Sequence, residues 1–366
     1  MDGGCCPLED MGVSQSFWAG RRVFVTGHTG FKGSWLAIWL KSLGARVSGY
    51  SLPPPTDPSL FHTANVAASM DAHVEGDVRD LASLKAAMLA AHPEIVIHLA
   101  AQSLVRRSYS EPVETFATNV MGTVNVIEAA RSCQDLLAVL SVTTDKCYEN
   151  RDWIWGYRED DSLGGRDPYS SSKACAELVT AAYRSSYFES GTVGIATARA
   201  GNVIGGGDWA ADRLMPDFLL ARRQGVSLEV RHPEATRPWQ HVLEPLSGYL
   251  LLAERLSTGD KRWAGAWNFG PRDEDNKTVA EILDYATSKA GGERWHTTSQ
   301  PSVHEARALR LDSSRARHIL GWKPRWDVIN ALDHTIEWHE HWIGGADMRR
   351  VCLQQIDSYS SAQPCL

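Results

Sequence analysis

From Arg22 onward, short apolar runs alternate with glycine-marked turns and with stretches of helical periodicity, the pattern of a parallel sheet wrapped by helices. Strands are expected at Arg22–Val25, Arg46–Tyr50, Ile95–Leu99, Leu137–Val142 and Val193–Ala198. Each is too continuously apolar for a sheet with one wet face, so both faces should be covered. Helices are expected at Leu81–Ala91, stopped by Pro93, and at Val113–Arg131, with Gly44 closing the first helix. After Gly201 the alternation loosens into helical stretches at Leu214–Arg223 and Leu246–Leu256, mixed with strand-like pieces at Ser227–Val230 and Trp267–Phe269. The fold class is α/β: a doubly wound parallel sheet with a smaller mixed lobe, some of whose segments return to the first sheet. The expected division is a leader without order at 1–16, a nucleotide-binding domain at 17–200, a second lobe at 201–345 and a C-terminal tail at 346–366.

Composition narrows the function. The chain has 366 residues, 43% of them hydrophobic, and its net charge of −7 supplies no broad basic field, so neither nucleic acid nor an anionic membrane surface is an expected partner. An anionic ligand must be met by a few placed cations. The seven cysteines form no CxxC pair, which argues against a disulfide framework or a thiolate zinc site and for a reducing, cytoplasmic setting. The apolar stretch Phe31–Leu43 is broken by Lys32 and Lys41, and nothing approaches the roughly 20 residues of a membrane span. His334, His339 and His341 do not share one helical face, and no metal is expected.

Val23-Phe24-Val25 runs into Thr26-Gly27-His28-Thr29-Gly30-Phe31-Lys32-Gly33, a glycine turn between a strand and a helix. Gly27 permits the tight turn, Gly30 lets backbone approach a pyrophosphate, and Gly33 lets the helix lie close to the strand. This is a Rossmann-like dinucleotide cradle, with Thr29 and Phe31 at its mouth. The second strand ends Val47-Ser48-Gly49-Tyr50-Ser51 without the acid that would hold an adenosine ribose, which leaves NAD and NADP both open. Asp77 follows the next apolar stretch and could contact the adenine edge. Leu99, Ala100 and Ala101 end another strand at the same sheet edge, where small residues give a cofactor room, while the adjoining His98 reads as a packed residue.

Tyr169 and Lys173 lie one helical turn apart on one face, where a nearby cation should draw the phenol's pKa down towards working pH. Ser141–Lys146 ends the intervening strand at its C-terminal edge, so Thr144 can hydrogen-bond the same substrate hydroxyl as Tyr169.

On these motifs, and over about Phe17 to Trp342, the chain resembles the extended short-chain dehydrogenase/reductase superfamily, and within it the nucleotide-sugar 4,6-dehydratases. Gly27–Leu36, Thr144–Asn150 and Arg237–Val242 are similar to the branch of that group that takes CDP-glucose. The resemblance implies a recycled NAD, a nucleotide-sugar substrate, a homo-oligomer (dimer or tetramer) and a place in deoxysugar and lipopolysaccharide biosynthesis. It implies that Tyr169 takes the 4-hydroxyl proton as hydride leaves C4, that Asp145 protonates the departing C6 hydroxyl, and that hydride returns to C6. Lys146 stands where relatives carry Glu as the C5 base, so it must be neutral to accept a proton, unless an ion pair with Asp145 holds it charged. Asn202 inherits a phosphate contact, and Arg237 is the expected pyrophosphate fork. Arg213 begins a helix near the nucleotide, in Asp212–Asp217, and Arg310 lies near the base or its ribose, in a match that starts at Glu305-Ala306. Two rivals stay open: a nucleotide-sugar 4-epimerase, which has no leaving hydroxyl to protonate, and a non-catalytic dinucleotide sensor.

Overall fold

The computed structural model describes residues 12–298 and 308–365. Its strands are β1 (Arg22–Thr26), β2 (Arg46–Ser51), β3 (Ala72–Glu75), β4 (Ile95–His98), β5 (Ala138–Val142), β6 (Gly194–Ala200), β7 (Asn202–Ile204), β8 (Glu229–Val230), β9 (Thr236–His241), β10 (Gly265–Phe269), β11 (Asn276–Thr278) and β12 (His296–Thr297). Its α-helices are α1 (Gln15–Trp18), α2 (Phe31–Ser42), α3 (Leu60–Thr63), α4 (Leu81–Ala91), α5 (Val105–Ser110), α6 (Pro112–Phe116), α7 (Gly122–Ala130), α8 (Pro168–Tyr187), α9 (Leu214–Gln224), α10 (Leu243–Leu256), α11 (Val279–Ala290), α12 (Val328–Ile343) and α13 (Met348–Ser361).

Seven strands form one sheet in the order β10-β6-β5-β4-β1-β2-β3, every neighbouring pair parallel. The order reverses between β1 and β4, and that switch point is where an open doubly wound sheet leaves its ligand crevice. Alternate side chains feed two cores. Val23, Val25, Ile95 and Ile97 pack with α2, α10 and α13, whereas Phe24, Val96, Val139 and Ile195 pack with α4 and α7. Both faces are covered, as the apolar strands require. Strand β10 comes from the second lobe and closes the sheet beside β6. Strand β3 is exposed, and its Ala-His-Val-Glu run carries too little apolar pattern to be read from sequence.

The helix expected over Val113–Arg131 is divided by a π-turn at Ala117–Met121. Buried Asn119 in that turn donates to the Gln102 carbonyl and to Ser172 Oγ, at 2.9 and 2.8 Å. A local π-bulge of this kind re-aims one residue; here it ties the loop after β4 to α8.

The smaller lobe is a three-stranded sheet, β11-β9-β7, with α9, α11 and α12 around Met215, Phe218, Ile282, Leu283 and Leu332. Two expectations about the ends need correction. Of the leader, Gln15 and Ser16 are helical in α1, and the Ser14 backbone N–H and Trp18 Nε1 donate to Glu254 at 2.9 and 2.7 Å; residues 1–11 lie outside the described residues. Most of the tail is helix α13, which buries Met348, Val351, Cys352, Ile356 and Tyr359.

Candidate active site

A cleft of about 940 Å³ opens at the C-terminal ends of β1, β4 and β5, between the sheet and the smaller lobe. That volume is at the upper end of ligand sites. The cleft gathers the cradle residues Gly27, Thr29, Gly30, Phe31 and Gly33, then Asp77, Leu99, Ala100 and Ala101. It also gathers Thr144, Asp145, Lys146, Tyr169 and Lys173, and finally Asn202, Arg213 and Arg237.

The three cradle glycines differ in why they are glycine. Gly27 has φ +75°, and a Cβ there would lie 2.6 Å from the Ala100 nitrogen, while a Cβ on Gly33 would lie 2.2 Å from the Gly27 carbonyl oxygen. Both are required by the fold itself. Gly30 has an ordinary φ of −77° at the N-cap of α2, and its Cβ would meet nothing closer than 3.4 Å. Its bareness leaves open the approach that a phosphate needs at a helix N-terminus, so the cradle fits a dinucleotide. At the adenosine end Thr29 Oγ1 contacts Ser51 Oγ at 2.7 Å and donates to the Leu52 carbonyl at 2.8 Å. Asp77 lines the cleft with its carboxylate forked by Arg79 at 2.8 and 2.5 Å, a hydrogen bond that lowers its pKa. His98 is packed: its ring contacts Thr26 Oγ1 at 2.7 Å and Thr123 Oγ1 at 3.1 Å, and burial pushes its pKa down to about 3.

Tyr169 sits in the first turn of α8, which is capped by Asp167 and starts with Pro168. Against expectation its phenol is pushed up to about 12, chiefly by burial, although a hydrogen bond with Thr144 opposes this. The Lys173 ammonium is turned away, donating to the Val142 carbonyl at 3.2 Å, and burial lowers its pKa to about 8. Thr144 Oγ1 donates to Asp145 Oδ1 at 2.9 Å. Asp145 is 1% exposed, and its Oδ2 has no hydrogen-bond partner. Gly201 makes room for it, since a Cβ there would come within 3.1 Å of that oxygen. Lys146 is half-buried at the cleft wall, and no ion pair joins it to Asp145.

Beneath α8 a buried pair, Arg199 Nη2 to Glu177 Oε2 at 2.8 Å, is completed by Thr197 at 2.7 Å and by Thr143. Arg199 also donates to the Tyr148 hydroxyl at 2.7 Å. In the smaller lobe, Asn202 Oδ1 is buried without a partner. Arg213 Nη1 is held by Asp208 at 2.9 Å, and Arg237 is 8% exposed on β9.

Arg310 does not reach the cleft; its guanidinium donates to the Ile154 carbonyl at 3.3 Å. Neighbouring Leu309 faces the cleft, and in extended chain the next side chain points the other way. The adjoining match at Glu305-Ala306 lies outside the described residues. Sequence reasoning missed Lys32 and Asp208, which also line the cleft. The Lys32 ammonium is pushed down to about 7 by burial and by Arg213, with Asp145 pulling the other way. Its signal was available: a lysine between Phe31 and Gly33 stands in the first turn of the helix that faces the ligand.

A dinucleotide cradle, a Tyr–Lys pair on one helix and a carboxylate past the C-terminal end of β5 define a nucleotide-dependent enzyme of the extended short-chain dehydrogenase/reductase type. A profile described as GDP-mannose 4,6 dehydratase matches residues 24–335, and the chain belongs to that family. It is 50% identical over 356 residues to the CDP-glucose 4,6-dehydratase of Salmonella typhimurium strain LT2, covering 96% of this chain and 99% of that protein. It is 24% identical to a dTDP-glucose 4,6-dehydratase of Xanthomonas campestris pv. campestris, over 88% of this chain and 94% of that one. Among solved structures, the dTDP-glucose 4,6-dehydratase DesIV from Streptomyces venezuelae, with NAD and TYD bound, matches with TM-score 0.77 and 24% identity, over 90% of this chain and 99% of that one. A UDP-glucose-4-epimerase from Stenotrophomonas maltophila, with bound NAD and formylated UDP-arabinopyranose, matches with TM-score 0.78 and 21% identity, over 89% of this chain and 100% of that one. Dehydratase and epimerase thus share this fold equally, and the fold alone does not separate them.

Proposed function

We infer that the chain is a CDP-glucose 4,6-dehydratase, a hydro-lyase converting CDP-glucose to CDP-4-keto-6-deoxyglucose and water. The observation that carries this reading is buried Asp145 beside Lys146 at the end of β5, within a chain 50% identical to a CDP-glucose 4,6-dehydratase along its length. An epimerase has no departing hydroxyl for such an acid to serve, and a sensor needs none of these groups. The cradle of Gly27, Gly30 and Gly33 would hold NAD, which would supply temporary storage of the C4 hydride until its return to C6, with no net redox change. The cleft wall formed by Ser51, Leu52, Pro53, Pro55 and Thr56 carries no cation for an adenosine 2′-phosphate, which favours NAD over NADP.

In this reading Tyr169 takes the proton of the sugar 4-hydroxyl, which Thr144 orients. Once C4 is a ketone, C5 is acidic and Lys146 removes its proton. Asp145 supplies the proton on which the C6 hydroxyl leaves as water. Asn202, Arg213 and Arg237 hold the pyrophosphate. Their fixed donors, and not the net charge of the chain, supply the attraction for it.

The enzyme works as a homodimer in this reading. Val113, Phe116 and Met121 are 82%, 36% and 52% exposed on α6 and the π-turn, and they line an apolar depression that includes Cys175 of α8. A contiguous apolar face of that kind suits a self-complementary interface between two copies.

The deciding experiment incubates the purified protein with CDP-, UDP- and dTDP-glucose labelled with deuterium at C4. The expected product arises from CDP-glucose, is lighter by one water, and carries the deuterium at C6. An isomer of unchanged mass would make the chain an epimerase instead.

A further inference from the structure

A nucleotide sugar is linear: hexose, two phosphates, ribose, base. With the hexose at Tyr169 and the phosphates at Arg213 and Arg237, the base falls in what remains of the cleft on the side of the smaller lobe. That end is walled by Leu214, Leu228, Val230 and Val279, apolar surfaces suited to the faces of a base. Three acids also line it: Asp212, Asp217 and Glu229. Asp212 is engaged by Arg106 at 2.6 Å and Arg231 at 3.6 Å, and Glu229 is exposed on β8. Asp217 differs from both. It stands in the first turn of α9 between Met215 and Phe218, which are 1% and 3% exposed in the lobe's core, whereas half-buried Asp217 itself lines the cleft, its carboxylate taking a hydrogen bond from the Asp212 backbone with Arg231 nearby. Among the described residues it makes no ion pair.

Resting on the CDP-glucose reading above, we propose that Asp217 accepts a hydrogen bond from the exocyclic amine of cytosine and thereby selects CDP-glucose over UDP- and dTDP-glucose. Cytosine presents N4–H₂ as a donor, the group from which Asp and Glu side chains accept when they read cytosine in DNA. Uracil and thymine carry a carbonyl oxygen at that position, so a carboxylate would face a second acceptor with both left unsatisfied. A site built for a donor rejects the analogue that lacks it far more strongly than an apolar pocket can. Burial and the Asp212 charge raise the carboxyl's pKa to about 6, with Arg231 and the Asp212 backbone N–H opposing, which leaves it mainly ionised, and so an acceptor, at neutral pH.

The test compares kcat/KM for CDP-glucose and UDP-glucose in the wild type, in Asp217→Asn and in Asp217→Ala, with competitive inhibition by CDP and UDP as a readout free of chemistry. The Asn variant keeps the shape and can turn its own amide N–H₂ towards a carbonyl. It should lower the CDP-to-UDP ratio at least tenfold in both measurements, with kcat at saturating CDP-glucose within about threefold of wild type. The Ala variant should lower the ratio through loss of CDP binding alone, and NAD binding checks that each variant is folded. A wild type that prefers CDP-glucose together with variants of unchanged ratio would overturn the role of Asp217. A wild type without a preference would overturn the substrate reading, and this proposal with it.

Discussion

Lys173→Met should make the folded chain more stable while abolishing turnover. The Lys173 side chain is 5% exposed, and burial lowers its pKa from 10.5 to about 8, with Glu177 and Cys147 opposing. At about 1.4 kcal/mol per pH unit, keeping this ammonium charged in the native state costs roughly 3 kcal/mol relative to the unfolded chain. Methionine has a similar length and no charge to desolvate. It forfeits the 3.2 Å hydrogen bond to the Val142 carbonyl, a loss of about 1–2 kcal/mol. The net expectation at neutral pH is a gain of about 1–2 kcal/mol, or a few degrees in Tm. The sign with pH is fixed by proton binding. Below about pH 8 both states of the wild type hold the proton and the full cost is present. Between about 8 and 10.5 the native state sheds it while the unfolded state keeps it, so wild-type stability rises with pH. The advantage of the variant must therefore shrink across that window. Denaturant unfolding of the two nucleotide-free proteins at neutral pH and at pH 9, followed by circular dichroism, checks both statements. A variant less stable than wild type at neutral pH, or an advantage that widens with pH, refutes the reasoning.

Gly30→Ala should leave the nucleotide-free stability within about 0.5 kcal/mol, since its Cβ meets only 3.4 Å contacts, yet weaken NAD binding at least tenfold by titration. Gly33→Ala should destabilise by about 1–3 kcal/mol or more, because its Cβ would sit 2.2 Å from a backbone oxygen; a normal unfolding midpoint would contradict this. Arg199→Met leaves the Glu177 charge buried and unpaired and should cost about 3–5 kcal/mol, with most of it recovered when Glu177→Leu is added, as a double-mutant cycle would show. Lys146→Met should still form the 4-keto sugar nucleotide but fail to exchange the C5 proton with deuterated solvent; wild-type exchange would pass the base role to another group.

Where the chain repeats apolar runs, the sheet could be read directly, and β1, β2, β4, β5 and β6 stand within a few residues of expectation. Apart from exposed β3, the strand that escaped did so because its polar residues are buried with their partners. Strand β9 reads Thr-Arg-Pro-Trp-Gln-His and looks like a loop, yet Gln240 and His241 are 1% and 0% exposed. It is stable there because Gln240 Nε2 donates to the Phe269 carbonyl at 2.8 Å. Periodicity weighs a side chain by its own polarity and is blind to such an acceptor supplied from β10. Helix α13 was different. Met348, Val351, Cys352, Ile356 and Tyr359 recur at three- and four-residue spacing, so its apolar face was written in the sequence.

The same limit explains which half of the active site was legible. Tyr169 and Lys173 were visible as a pair because helix geometry alone puts them on one face, but that geometry fixes neither direction nor depth. The ammonium went to the Val142 carbonyl, and burial, opposed by a hydrogen bond with Thr144, sets the phenol's pKa. Charges from separate elements were invisible for a stronger reason. Lys173 from α8, Asp145 after β5, and Asp208 with Arg213 before α9 act together on the Lys32 ammonium of α2, and no spacing in the sequence announces that meeting. It nevertheless follows from composition that some such meeting must exist. A chain with a net charge of −7 that binds two pyrophosphates can attract them only where a few cations are concentrated against the general field. Burial drives Lys173 to about 8, and burial together with Arg213 and Lys173 drives Lys32 to about 7, so the demand for cations walled into the cleft and the weakened hold of these lysines on their protons have one origin.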